Sequence, residues 1–282
     1  MSLVWCNGAV HTSDVQPIST RNRGLTLGDG LFETVLVAGG VALWFREHLQ
    51  RLERSGRVFG ITIPRDEIST ALAALVQQGG AGLHVLRITV TRGDTRRGLA
   101  GDAGPTQLFM TLDHFAPALI GQDVTLFTST VRRSPSSISS THKALSYIDA
   151  IIAAREAEAQ GCGDALMLNV AGNAASSTIA NIFMVQDNRL ITPALDQGIL
   201  PGVMRQEVLQ CAVKMNFITE ERVIAPNELF GADSVFLCNS LRLVRPVTAI
   251  DGKALALGKT SVILDQLCQT IKENCGTDPR QF

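Results

Sequence analysis

This chain has no excess of either charge. Its formal net charge is -1, which leaves no global field to draw nucleic acid or an anionic membrane. No apolar run approaches the length that spans a bilayer, and the N-terminus lacks a basic-then-apolar leader, so the expected location is the cytoplasm. The six cysteines (Cys6, Cys162, Cys211, Cys238, Cys268 and Cys275) show no C-x-x-C pairing, and no His/Cys cluster has metal-ligand spacing. Reduced thiols are therefore expected rather than a disulfide framework or a zinc site. Internal repeats, low-complexity tracts and a Gly-x-Ser-x-Gly elbow are absent as well. One further absence is local: no lysine occurs before position 143, and arginine is the long basic side chain up to that point.

What is present is an ordinary globular composition, 45% hydrophobic and 18% charged over 282 residues, enough chain for one large or two medium domains. The irregular stretch between Asp113 and Asp123, with Pro117 and Gly121, reads as a linker. It divides the chain into residues 1–113, a connection at 114–123, and residues 124–282.

Leu3 to His11 reads as two short strands about an Asn7-Gly8 turn. Gly28-Asp-Gly30 reads as a tight turn before an alternating strand, Leu31 to Val37. Gly39-Gly40 then leads into a second strand, Val41 to Phe45. Gly28-Asp-Gly30 precedes a strand instead of opening a helix, so it is not a nucleotide loop. Glu47 to Phe59 and Asp66 to Gln78 have helical spacing, and Arg51 borders the apolar stripe of the first, where it could simply reach out to water. Arg96 and Arg97 lie at the tip of a loop, which suits a solvated turn and also the capture of a carboxylate. Pro201-Gly202 opens a helix whose first free amides favour an anion, though an ordinary helix cap has the same sequence.

Lys143 follows a serine-rich loop. Leu145, Ile148, Ile151 and Ile152 recur at helical spacing and predict a helix with that face buried. Lys143 would then sit at a helix N-terminus, where the dipole and burial both disfavour an ammonium. A lysine with a lowered pKa is a nucleophilic amine suited to Schiff-base chemistry.

Five stretches in order, Arg23-Gly-Leu-Thr-Leu-Gly-Asp-Gly-Leu-Phe-Glu-Thr34, Glu47-His-Leu-Gln-Arg-Leu52, His142-Lys-Ala-Leu145, Ala180-Asn-Ile-Phe183 and Ile199-Leu-Pro-Gly-Val-Met-Arg205, resemble the class IV (fold type IV) pyridoxal-phosphate enzymes. That group includes aminodeoxychorismate lyase and the D-amino-acid and branched-chain aminotransferases. The resemblance implies an α+β fold, with an N-terminal α/β sandwich and a C-terminal barrel-like α/β domain. It also implies pyridoxal 5'-phosphate in the cleft between them, and a homodimer. It places Lys143 at the Schiff-base position and Arg51 on the cofactor phosphate. The backbone amides of Val203 and Met204 and the hydroxyl of Ser240 are further phosphate ligands on the same ground.

Ser176 departs from the family pattern. It stands five residues before Asn181, where the family has a glutamate that bonds the protonated pyridine nitrogen. A serine cannot stabilise that positive charge comparably, which counts against ordinary transamination. Cys238-Asn-Ser-Leu241, Gly202-Val-Met-Arg-Gln206 and Arg96-Arg-Gly98 are similar to the lyase, with Arg97 on a substrate carboxylate. The function so implied is conversion of 4-amino-4-deoxychorismate to 4-aminobenzoate and pyruvate in the folate pathway. The alternatives are a class IV aminotransferase for D- or branched-chain amino acids, and a cofactor-binding homologue without turnover.

Overall fold

A computed structural model describes residues 2–12, 18–95, 98–100 and 104–282. The chain forms two compact units. The first comprises Met1–Pro117, Lys143–Ser146 and Ile271–Phe282, and the second Ala118–His142 and Tyr147–Thr270. Two short late pieces thus return to the first unit, which the contiguous division read from the sequence does not express.

The first unit is built from β1 (Leu3–Cys6), β2 (Ala9–His11), α1 (Arg23–Leu27), β3 (Gly30–Ala38), β4 (Val41–Ala42), α2 (Phe45–Phe59), α3 (Arg65–Gly79), β5 (Leu83–Thr91) and β6 (Gln107–His114). Its antiparallel sheet runs β2-β1-β6-β5-β3-β4. Asn7 and Gly8 both have positive φ, as the two-residue hairpin turn requires. Just ahead of the turn at Gly28, Arg23–Leu27 forms one helical turn that the sequence reading did not assign, capped by the Asn22 side chain on the amides of Gly24 and Leu25. The strand expected over Val41–Phe45 stops at Ala42, because Phe45 already begins α2. Leu31, Val35 and Val37 of β3 share a core with Leu49 and Leu52 of α2 and Ile68, Ala71 and Leu75 of α3. Both helices therefore lie over one face of the sheet. Glu33 has the same strand parity as Leu31 and Val35, so its carboxylate enters that apolar layer.

The second unit contains β7 (Val124–Arg133), α4 (Ile138–Thr141), α5 (Ile148–Ala159), β8 (Asp164–Asn169), β9 (Ala174–Ser176), β10 (Asn181–Gln186), β11 (Arg189–Pro193), α6 (Val203–Lys214), β12 (Ile218–Arg222), β13 (Ser234–Asn239), β14 (Leu243–Ile250) and β15 (Lys253–Ala254). The last helix, α7 (Thr260–Cys275), ends within the pieces assigned to the first unit. Strands pair in the order β10-β13-β14-β7-β8-β9, and β9 pairs back to β10, so the sheet closes into a barrel. The seam is a single register pair, Ser176 with Asn181. β11 and β12 extend the sheet from β10.

The buried face of α5 differs from the expectation. Ile148, Ile151 and Ile152 are exposed, whereas Ala150, Ala153 and Ala157 are buried. Ala153 and Ala157 pack with Ala165, Met167 and Phe127 of the sheet. A face of small side chains lets the helix axis approach the strands closely, and the bulky isoleucines at similar spacing are left on the outer face. All six cysteines are free thiols.

Candidate functional site

Lys143 does not begin a helix. The Phe32 amide donates to the Lys143 carbonyl at 3.0 Å and the Leu145 amide donates to the Gly30 carbonyl at 2.9 Å, while Ala144 bridges Leu31. Residues 143–145 are thus an extended piece laid along β3, ahead of the helix that starts at Ile148. The helix-dipole argument for a lowered pKa fails with that placement, and another cause replaces it. Burial of the amine comes first, followed by the charge of Arg51; Glu33 opposes and Arg87 adds to them, and the net effect brings the pKa down to about 7. The Lys143 Nζ stands 4.1 Å from the centre of the Phe32 ring, and the Arg87 guanidinium carbon is also 4.1 Å from it. Lys143 as a whole is half-buried.

The same unit holds a buried polar set between β3 and α2. Arg51, on α2, donates through Nε to Glu33 Oε1 at 2.8 Å and through Nη2 to Glu33 Oε2 at 2.6 Å. His48, one turn earlier on the same helix, places Nδ1 2.7 Å from Glu33 Oε2. Since the carboxylate can only accept, Nδ1 carries the proton and Nε2 holds a lone pair. That Nε2 is buried without a hydrogen-bond partner among the described residues. Burial alone would raise the Glu33 pKa, but the charge and bonds of Arg51 and the bond from His48 outweigh it and hold the carboxyl well below its usual range. Desolvation dominates at His48 and lowers its pKa, which keeps the ring neutral. Arg51 was expected on a phosphate, and the sequence reading gave it no carboxylate partner. The hint was an acid in the middle of an apolar strand, 18 residues before the arginine that pairs with it.

In the second unit Asn181 organises the other expected residues. Its backbone pairs with Ser176 on one side and Cys238 on the other, which places Ser240 just past the end of the neighbouring strand. Its Nδ2 donates to the Leu200 carbonyl at 2.9 Å, fixing the loop that leads into α6. Gly202 is the N-cap of α6 and offers no side-chain acceptor, so the first-turn amides, those of Val203 and Met204 included, are not capped by it. A Cβ at Gly202 would meet Asn181 Oδ1 at 2.2 Å, so any other residue would force the Asn181 amide or the helix start to move. Ser176 is buried, and its Oγ donates to the Ser177 carbonyl at 2.8 Å. Asn181 lies in the stretch Ala180-Asn-Ile-Phe183, but a hub made by backbone register has no signature in a single chain.

Arg97, expected to hold a substrate carboxylate, lies outside the described residues. The loop just beyond it is anchored: the Arg23 guanidinium donates to the carbonyls of Gly98 at 2.8 Å and Leu99 at 3.1 Å. Arg23 also pairs with Asp29 at 2.7 Å, and Asp29 is shared with Arg92.

Comparison with known proteins agrees with this arrangement. The model of the amino-transferase class IV family matches residues 30–250. Aminodeoxychorismate lyase of Vibrio harveyi is 28% identical over 254 residues, covering 88% of this chain and 91% of the relative. The solved 4-amino-4-deoxychorismate lyase from Pseudomonas aeruginosa superposes with a TM-score of 0.82 at 31% identity, over 95% of this chain and 98% of that one. The branched-chain aminotransferase of Thermoproteus uzoniensis, solved with norvaline, gives a TM-score of 0.88 at 26% identity, over 97% and 95%. With a closed barrel, a lysine whose pKa burial lowers, and a family match spanning most of its length, this chain belongs to the class IV aminotransferase family of pyridoxal-phosphate-dependent enzymes.

Proposed function

We propose that the chain is a pyridoxal-phosphate-dependent lyase that converts 4-amino-4-deoxychorismate to 4-aminobenzoate and pyruvate. The residues present fit the cofactor at the amine and at the phosphate. Lys143 supplies a shielded amine whose pKa is about 7, so about half of it is neutral and nucleophilic at that pH. The start of α6, with a glycine N-cap, supplies amides for the phosphate from Val203 and Met204, and the Ser240 hydroxyl is assigned to the same group. Arg51 is assigned to it as well, with Glu33 holding two of its nitrogens.

The observation that carries the lyase reading is Ser176. Its only proton is engaged by the Ser177 carbonyl, and it brings no negative charge. When bound, the cofactor supplies a ring that draws electron density from the carbon carrying the substrate amine, and draws it best with its nitrogen protonated. A position without an acid weakens that pull. Amino transfer suffers most, because it depends on the pull throughout. An elimination that creates an aromatic ring has a driving force of its own.

In this reading Lys143 acts twice. With the cofactor bound, the Lys143 amine would accept the ring proton of the substrate. The carbon–oxygen bond to the side chain then breaks, its electron pair leaving on the enolpyruvate oxygen, and the ammonium returns a proton to the departing group. A group with a pKa of about 7 serves both as base and as acid near neutrality. Arg97 is assigned to a carboxylate of the substrate, and the working form to a cytoplasmic homodimer.

Amino transfer to branched-chain or D-amino acids is the second reading, supported by the likeness to the Thermoproteus enzyme. Purified protein mixed with 4-amino-4-deoxychorismate should release fluorescent 4-aminobenzoate, and should exchange little amine from an amino-donor panel to 2-oxoglutarate. Rapid exchange with no aminobenzoate would refute the lyase assignment.

A further inference from the structure

The loop that carries the chain toward Lys143 and the turn that carries it toward α6 are both tied to the end of β7. Arg133 is the last residue of that strand, in register with Asn169 of β8, and its carbonyl accepts from the Val170 amide at 3.0 Å. Neighbouring strands in register send paired side chains to the same side of a sheet. Asn169 accordingly donates through Nδ2 to Gln197 Oε1 at 2.9 Å, and Arg133 donates through Nε to the carbonyl of the next residue, Gly198, at 3.0 Å. The Asn169 amide is held in that orientation, because its Oδ1 accepts from the amides of Ala171 and Asn173. Asn181 holds the same segment further along, at Leu200.

Arg133 makes a bond that the two asparagines do not. Its Nη2 donates to the carbonyl of Ser140 at 2.8 Å, three residues before Lys143. Ser140 and Gly198 are both buried residues, where an unpaired carbonyl would be costly. One planar guanidinium serves both. The two segments also touch directly: a Cβ at Gly198 would lie 2.9 Å from the Pro135 nitrogen and 3.1 Å from the Ser134 carbonyl carbon. We propose that Arg133 is a positioning residue for the reaction, a crosslink through which the Lys143 loop and the approach to α6 move as one. This role rests on the assignment of Lys143 to the cofactor carbonyl and of the α6 start to its phosphate, but its first test needs no cofactor.

Full-length Arg133→Met, freed of cofactor, is compared with wild type by hydrogen–deuterium exchange. Amides in 135–142 and in 197–203 should both exchange faster, by about tenfold or more, the scale set by losing one bond from a charged donor. Strands β10 and β13 should exchange as before. Pyridoxal 5'-phosphate is then added and the mixture quenched with borohydride at intervals; cofactor fixed at Lys143 should accumulate about tenfold more slowly. Faster exchange in one segment only or in neither, or an unchanged rate of fixation, overturns the proposal. Should Arg133→Met fail to fold, Gln197→Ala decides. It removes the Asn169 hold on the second segment alone, so with the crosslink intact its effect should reach 135–142; an effect confined to 197–203 refutes the crosslink. Coupled loosening of both segments with cofactor fixed at a residue other than Lys143 would instead count against the functional reading and leave the crosslink standing.

Discussion

Gly202→Ala is a small perturbation with a consequence that can be worked out from distances. The added methyl would lie 2.2 Å from Asn181 Oδ1 and 3.2 Å from Arg205 Cβ. Relief requires a movement of about 1 Å by the Asn181 side chain or by the α6 N-terminus, since ordinary carbon contacts lie at about 3.5–4.0 Å. If Asn181 moves, its bond to the Leu200 carbonyl is lost, a net cost of about 0.5–1.5 kcal/mol, and overpacking of a fitted site adds about 1–3 kcal/mol. The backbone itself should tolerate alanine, because Gly202 has φ -66° and ψ 138°. The effect is therefore purely one of space. Thermal melting should show a clear loss of stability, and cofactor retention on dialysis should fall, because the displaced turn is the one assigned to the phosphate. Gly231→Ala is the control: nothing lies within 4 Å of its added Cβ. Equal melting temperatures and equal cofactor retention for the two variants would refute the reasoning.

Two further outcomes follow from single residues. Ser176→Glu should place an acid at the position assigned to the ring nitrogen, raising half-transamination with an amino donor more than lyase activity; a nitrogen-15 shift of labelled cofactor reads the protonation directly, and a wild-type nitrogen already fully protonated would contradict the account. Lys143→Met, in cofactor-free protein, should gain stability over wild type at pH 6 and lose that gain by pH 10.5. The sign follows from the folded pKa of about 7 lying below the ordinary 10.5: the unfolded chain binds the extra proton between those values, so the penalty is full below pH 7 and disappears above 10.5. Its size is of the order of a few kcal/mol, and denaturant melts across that range would measure it.

Much of this was legible in the sequence where local chemistry decides the outcome. The Asn7-Gly8 hairpin, the two helices over the first sheet and the collinear motifs carry their own signals. What escaped was set by partners distant in the chain. Residues 143–145 became a strand neighbour because β3 had open backbone positions for them, which no periodicity around Lys143 expresses. The isoleucines of α5 had the spacing of a buried face, but the alanines had it too, and close packing on β7 and β8 selected the smaller set. Glu33 was visible as an acid among apolar residues, yet its partners Arg51 and His48 come from the next helix. The hub at Asn181 depends on register alone, and register is decided only when the barrel closes.

The account turns on Lys143, and peptide mapping after reduction tests it most directly. Cofactor-loaded protein is treated with borohydride, digested, and the fragment bearing the added cofactor mass is located by mass spectrometry. The account predicts a single modified site, Lys143, and no fixed cofactor in Lys143→Ala. Attachment at another lysine, or fixation that survives in Lys143→Ala, would contradict it.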